Sequence, residues 1–406
     1  MNDSLKPRVR IPLRTRVRGE LPSLLIILVI SSIVAWLHSA GLLEGFESLA
    51  LDTLQIVGPE PNLESHLRIV SIGDDYFVNQ LHGSYPLDPA GVAKVVTTVA
   101  QGSPSLIAVD LDTSRWSPED YKLVPNNIPI VWARDIMRSR GAFCALPVLD
   151  NKGLLDRYTG IAGEPADRDG VVRRYDRVIN IEMCNSMGQA RPEPVQTFPW
   201  AVASYVLKIP PEEVRNPVQN ELVLNFFGDR FDTKPIPIEI VMQLADKPDS
   251  DFSTRGPLTG KIALIGGYYH AAHDIHTTPR GPMPGVEITA QAIESELNAR
   301  GLHAINEIRM TAVEIGFGLV LIAIHRISGV RTGLLLSLLA FLIIGPIGSY
   351  IAYSSYALWA NFIPVLIAVL MHEFYDQARS HEKSQLREAR ILEESGNEPA
   401  IHEPVH

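Results

Sequence analysis

The chain has 406 residues, a net charge of -10 and 46% hydrophobic residues, room for two or three folded units. The acidic balance, with no basic stripe, excludes a nucleic-acid-binding protein. Apolar residues crowd into one segment near the N-terminus and three near the C-terminus, which places the chain in the membrane class.

Residues 1–20 are basic, with Lys6, Arg8, Arg10, Arg14, Arg16 and Arg18. Residues 21–37 carry no charge, and as a helix they span about 25 Å, close to the ~30 Å core of a bilayer. The run is long and Ser39-Ala40-Gly41 is a poor cleavage site, so an uncleaved anchor is the expectation rather than a signal peptide. The spacing of Leu43, Phe46, Leu49 and Leu54 predicts a helix over 41–55 that continues the first membrane helix outwards, ended by Pro59 and Pro61.

Arg68 to Ile72 reads as a strand, followed by Gly73-Asp74-Asp75. Asp88 is a plausible N-cap with Pro89 at the first helical position, opening a helix over 90–101. Ser105 to Val109 is a second strand, followed by Asp110-Leu-Asp112. Strand, helix, strand with continuous apolar strands is a βαβ unit and implies a parallel sheet. Further strands are expected over 127–133, 142–149, from Val171 through 178–181, and over 222–227. Helices are expected over 197–207 and 238–244.

Ile262 to Ile265 is an apolar run closed by Gly266-Gly267, the pattern of a strand covered on both faces. A polar loop follows, holding His270, His273, Asp274, His276 and Thr278. Apolar spacing from Val286 to Leu297 then predicts a helix. Residues 38–304 therefore form one extracytoplasmic domain with an inserted antiparallel region.

Membrane helices are expected over 310–324, 333–353 and 357–371, with a charged helical tail and a disordered end (372–406). His325, Arg326 and Arg331 follow the first of these, and Arg379, Lys383, Arg387 and Arg390 follow the last. The positive-inside rule then sets both termini in the cytoplasm and the large domain outside, in a multi-pass protein of the cell inner (plasma) membrane. The fold class is an α/β external domain with a mainly parallel central sheet, plus an α-helical membrane region of four transmembrane helices. Intramembrane Glu314 and Asn361 are expected to pack between helices, and Pro346 and Pro364 to kink theirs. Cys144 and Cys184 both lie in the external segment; a disulfide there, worth about 4 kcal/mol in the chain-entropy model, and two separate thiols remain equally open.

Three apolar strands end in acids or a polar loop: Asp74 and Asp75, Asp110 and Asp112, Asp274 and His276. In a parallel sheet those ends converge on one crevice, the usual ligand site of such folds. Clustered carboxylates repel, so they bind a cation or small ligand, pair with His or Arg, or shift their pKa. Ca²⁺ or Mg²⁺ suits oxygen ligands. The competing role is to cap helices and order turns. His270, His273, His276 and Cys184 form only a loose zinc set with no paired-Cys motif, and an exposed polar loop outweighs it. The Asp167–Gly170 turn with Arg173 and Arg174 reads as structural, an Arg pairing with an acid. No nucleophile–base pair stands out, so neither an enzyme nor a cofactor is expected.

In order along the chain stand Leu51-Asp52, Ile69-Val-Ser-Ile-Gly-Asp74-Asp75, Ile107-Ala-Val-Asp110, Asp169-Gly-Val-Val-Arg173-Arg174, Ile262-Ala-Leu-Ile-Gly266, Asp274-Ile-His276-Thr-Thr278-Pro279 and Met283-Pro-Gly-Val-Glu287-Ile288. This ordered set resembles the second class of CHASE domains, extracellular sensory domains of bacterial receptors, over most of the chain. Thr289 stands where the family often has His, and Tyr85-Pro86-Leu87 replaces a tryptophan-rich segment. The resemblance implies a membrane receptor for an extracytoplasmic signal, with one helix before and three after the domain. It also implies an unknown small ligand or ion and a homodimer. The family's usual C-terminal catalytic domain is not seen, so a separate signalling or effector protein is the expected partner. The other expectation is a membrane-anchored scaffold or assembly subunit that binds a protein.

Overall fold

The computed structural model describes residues 13–396, apart from 59–64, 114–115, 118, 126, 135, 140–141, 146–158, 164–165, 185–189, 227–233, 248–250, 299–300, 305–306 and 329. Two compact units result: Asp52–His303, and Met1–Leu51 with Ala304–His406.

The helices are α1 (Leu13–Ser39), α2 (Glu44–Val57), α3 (Asp74–Gln80), α4 (Pro89–Gln101), α5 (Phe198–Leu207), α6 (Pro211–Arg215), α7 (Ile238–Ala245), α8 (Phe252–Arg255), α9 (Gly285–Leu297), α10 (Glu307–Ser328), α11 (Val330–Tyr356) and α12 (Ile363–Gly396). The strands are β1 (Leu67–Ile72), β2 (Leu106–Asp110), β3 (Ile130–Arg134), β4 (Ile136–Ser139), β5 (Ala142–Ala145), β6 (Thr159–Ile161), β7 (Arg174–Asp176), β8 (Val178–Cys184), β9 (Ala190–Gln196), β10 (Glu221–Val223), β11 (Ile236–Pro237), β12 (Ile262–Gly267), β13 (Ile275–Thr278), β14 (Gly281–Pro284), β15 (His303–Ala304) and β16 (Leu358–Trp359).

The unit Asp52–His303 is built on a six-stranded sheet of order β11-β1-β12-β2-β3-β6. Every neighbouring pair in it is parallel. Strand residues alternate between its two faces, the period-2 rule. Val70, Ile72, Ile107, Val109, Ala263 and Ile265 pack with α4 and α7. Leu67, Ile69, Leu106, Ala108, Ile262 and Leu264 pack with Phe198, Ala201 and Val202 of α5 and Val286, Ala290 and Ile293 of α9. Each Val, Leu or Ile among them, fully buried, contributes about 1.5–3 kcal/mol before chain entropy is counted. Asp88 caps α4 as expected: its Oδ2 accepts from Gly91 N at 2.8 Å, with Pro89 opening the helix.

The inserted region is a second sheet, order β4-β5-β8-β9. Its β5 sets Cys144 opposite Glu182, two residues from Cys184; the two thiol side chains lie outside the described residues. The expected strand over 142–149 ends, where described, at Ala145. The strand expected over 222–227 pairs only from Glu221 to Val223, against β7. Beyond it Leu224 adds one backbone bond, its N to Arg173 O at 2.8 Å, and Leu224 and Phe226 are buried beside α5 and α9.

In the second unit, α1 meets α12 through Ile30, Val34, Ile367, Ala368 and Met371. Many apolar residues of its helices stay exposed, among them Leu28, Ile33, Trp36, Leu319, Leu339, Ile344 and Ile347. Among the described residues no single helix is long and apolar enough to cross a membrane; only Leu28–Ser39 and Glu44–Val57 together are, bent by 80°. That bend corrects the expectation that 41–55 continues the first helix. Gly41, at φ 71, turns the chain instead.

The helix expected over 357–371 also shifts. Ala357 takes φ 51 and Leu358–Trp359 is extended. Asn361 precedes the helix, its Oδ1 accepting from Ile363 N at 3.2 Å. Pro364 is then a helix-start residue and not a kink, whereas Pro346 does lie inside α11. The helix expected in the tail is the continuation of α12, which runs to Gly396. The Glu314 side chain and residues 397–406 lie outside the described residues.

Candidate functional site at the carboxyl edge of the sheet

The register levels three strand ends: Ser71 lies opposite Gly266, and Gly266 opposite Asp110. Asp74, Asp110 and the loop after β12 therefore leave from one edge, where open α/β sheets bind ligands.

Asp274 is fixed from two sides. Its carbonyl accepts from Gly285 N at 2.9 Å, and its Oδ1 meets His276 Nε2 at 2.7 Å. The carboxylate lies so close to Gly285 that a Cβ there would overlap both oxygens. It thus sits at the N-terminal end of α9, where the helix dipole favours negative charge. Gly266 is pressed in the same way by the Val286 side chain. Two glycines let the start of α9 close down on the strand ends.

Asp110 is half-buried at the end of β2 and bonds the Thr289 side chain of α9. Burial first, then the charge of Asp274, push its carboxyl up to about 7, against the pull of Thr289. Two aromatics adjoin the acids. Tyr85 Oη donates to Tyr269 Oη at 2.8 Å. The Tyr269 ring stacks on Phe77, centroids 4.1 Å apart and planes at 3°. Burial raises both tyrosines, and the charges of Asp112 and Asp274 add to it. Asp110 thus feels Asp274, Asp274 bonds His276, and Asp112 and Asp274 act on the same two tyrosines.

Asp74 and Asp75 do not join that group. Asp74 is engaged by His270, from its N at 2.8 Å and its Nδ1 at 2.6 Å. These bonds, the backbone one foremost, hold its carboxyl below the usual range. Asp75 is exposed in the first turn of α3. Among the described residues no three of His, Cys, Asp or Glu stand together as a metal centre. Of the loose zinc set, His270 meets Asp74 and His276 meets Asp274. His273 is exposed, and the Cys184 side chain lies outside the described residues.

Two polar clusters hold the surrounding frame. Arg173, 2% exposed, spends all five N–H groups on carboxylates. Nε and Nη2 grip Asp52 of α2, Nη1 and Nη2 grip Asp169, and Nη1 also reaches Asp167. An acid partner for this arginine was expected from the turn; Asp52 was not. Glu294 of α9, fully buried, accepts from Ser65 Oγ and from the backbone N–H of His66 and Leu67, clamping α9 to the start of β1. Tyr85, Tyr269 and Thr289 also escaped sequence reasoning as site residues. The one signal was that Tyr85 and Thr289 occupy positions where the resemblance fails.

Residues 25–324 match the family model of the CHASE2 domain. The chain belongs to the CHASE2 family. CHASE2 is a sensory domain, so the matched α/β unit is a sensory one. No curated protein and no solved structure matches the chain. In this CHASE2 domain the aspartates that end the first two strands part company: Asp110 enters the crevice and Asp74 is taken by His270. The Met283–Ile288 segment carries Gly285, and Glu287 accepts a hydrogen bond from Tyr268.

Proposed function

We propose that the chain is a membrane-anchored receptor whose CHASE2 domain takes a small ligand at the crevice of Asp110, Asp112, Asp274 and His276, walled by Tyr85 and Tyr269. The observation that carries this reading is the convergence of those four residues at the carboxyl edge of a sensory domain's sheet. The edge presents carboxylates and tyrosine hydroxyls, which suits a ligand rich in N–H or O–H donors or a cation. Membrane attachment, with the domain outside and both termini inside, is supported by the exposed apolar side chains on α1, α10 and α11 and by the basic N-terminal segment. α9 ends at Leu297 and α10 begins at Glu307, so a ligand-driven shift of α9 has a short path along the chain to the C-terminal helices. A homodimer and a signalling protein that reads α12 complete the proposal.

A second reading is a membrane-anchored scaffold or assembly subunit that binds a protein. The exposed Tyr205, Val206, Leu207 and Val218 favour it. A thermal-shift screen of the full chain in lipid nanodiscs separates the two. The receptor reading expects a small molecule or ion to raise Tm. If only a partner protein does so, the scaffold reading replaces it.

A further inference from the structure

Residues 275–284 form a hairpin tied in register from Ile275↔Pro284 to Thr278↔Gly281. Its base carries Asp274 and His276, the crevice residues. Its tip carries Arg280, whose Nη2 donates to the Gln55 carbonyl of α2 at 2.9 Å. The hairpin is also bonded sideways. Val171 bridges Thr277, and Val172 N donates to Thr277 O at 2.8 Å. The next residue, Arg173, forks onto Asp52 of α2 at 2.7 and 2.8 Å. Gln55 Nε2 donates to Leu224 O at 3.0 Å, and Leu224 N donates to Arg173 O at 2.8 Å.

These contacts close a ring. Asp52 and Gln55 stand three positions apart, on one face of α2. One is held by Arg173, the other by Arg280 and Leu224, and the hairpin joins the two holds. Two of its members are shielded from water, Gln55 at 0% and Arg173 at 2% exposure, while Asp52 and Arg280 are half-buried and Thr277 is exposed. A bonded element of that kind moves as a piece rather than bending freely, so a displacement at its base reaches its tip.

We infer that the β13–β14 hairpin is a lever coupling the crevice to the last turns of α2, with Arg280 as the positioning residue at its far end. A ligand on Asp274 then acts on α2, the helix that follows α1 in the chain, as well as on α9. The inference rests on the crevice as ligand site for its physiological meaning, but its test needs no ligand.

Hydrogen–deuterium exchange of the full chain in lipid nanodiscs tests it, comparing the parent, Asp274→Asn, Arg280→Ala and the double variant. Arg280→Ala should speed exchange of the amides of residues 54–58 on the order of tenfold, the size set by one charge-assisted hydrogen bond. Asp274→Asn should speed the same amides in the parent and add nothing in the Arg280→Ala background. The lever is overturned if Asp274→Asn leaves residues 54–58 unchanged, or if its effect there persists undiminished without Arg280. Should Arg280→Ala lose its far-ultraviolet circular dichroism, Arg280→Gln replaces it under the same two outcomes. A ligand that binds while α2 exchange stays uncoupled removes the lever and spares the receptor. Coupled exchange with no ligand found does the reverse.

Discussion

Arg173 and Asp52 meet through two parallel hydrogen bonds, Nε to Oδ1 at 2.7 Å and Nη2 to Oδ2 at 2.8 Å. The two residues are 121 positions apart in sequence. The fork joins α2 to the turn after β6, and the same guanidinium holds Asp167 and Asp169. Removing the arginine leaves Asp52 and Asp169 without their cation, while Asp167 keeps Arg174 Nε at 3.1 Å. Arg173→Ala should therefore cost about 3–5 kcal/mol. Arg173→Lys keeps the charge but not the fork, and should recover only part of that loss. Denaturant midpoints of the two variants check the order.

The same cluster sets a pH dependence at acid pH. The Arg173 side chain, chiefly, holds the Asp169 carboxyl below its ordinary value of 3.8. A carboxyl whose pKa is lower folded than unfolded stabilises the fold above the unfolded value and loses that as pH falls through the folded one. Tm of the parent should therefore fall more steeply than that of Asp169→Asn below about pH 4. Parallel curves would remove the assignment.

Asp110 has the opposite sign. Its carboxyl rises from 3.8 to about 7 on folding. The folded chain then holds a proton that the unfolded chain has released, so stability is lost as pH rises between those two values. The loss is on the order of 2 kcal/mol once solvent screening at a half-buried site is allowed for. Asp110→Asn, which cannot ionise, should flatten that stretch of the Tm-against-pH curve. Asp274→Asn should flatten it in part, because the Asp274 charge is the second cause of the shift.

Glu294 is a buried acid with a full set of donors: Ser65 Oγ at 3.0 Å, His66 N at 2.6 Å, Leu67 N at 3.0 Å, His66 Nδ1 at 3.0 Å and Asn298 Nδ2 at 2.9 Å. Glu294→Ala takes the acceptor from the part-buried His66 N–H and leaves the buried Leu67 N–H only the 3.3 Å contact to Ser65 Oγ, and should cost about 1–3 kcal/mol. Glu294→Gln keeps the shape and one acceptor, and should cost less. Urea titration ranks them.

Gly285 carries no positive φ, so its requirement is purely one of space. Gly285→Ala puts a methyl into the Asp274 carboxylate. It should move Asp274 off His276 at a cost of about 1–3 kcal/mol, as overpacking does elsewhere. Faster hydrogen exchange of the His276 amide than in the parent reads that displacement.

Much of this could be read in the residues. Val70, Ile72, Ile107, Val109 and Ile265 form continuous apolar strands, and such strands belong in a parallel sheet between helices. Asp110 and Asp274 come close because β12 lies between β1 and β2 and pairs with β2, a strand order that the βαβ pattern of β1 and β2 does not give. Tyr85 and Tyr269 pair across 184 positions through a fold contact with no local signature. Asp52 was legible as a motif but not as the partner of Arg173, for the same reason. The break expected at 354–356 lies instead at 357–362, because residues 357–362 are largely apolar and hydropathy does not report a left-handed residue such as Ala357.

If the proposed crevice of Asp110 and Asp274 is where this CHASE2 protein meets its signal, binding must weaken when either acid loses its charge. The direct measurement is an equilibrium titration of the compound or ion that raises Tm of the full chain in lipid nanodiscs, repeated on Asp110→Asn and Asp274→Asn. Each variant should lose at least about tenfold in affinity, the worth of one charge-assisted contact, with folding intact. Unchanged affinity in both variants would contradict it and move the sensory site elsewhere on the domain.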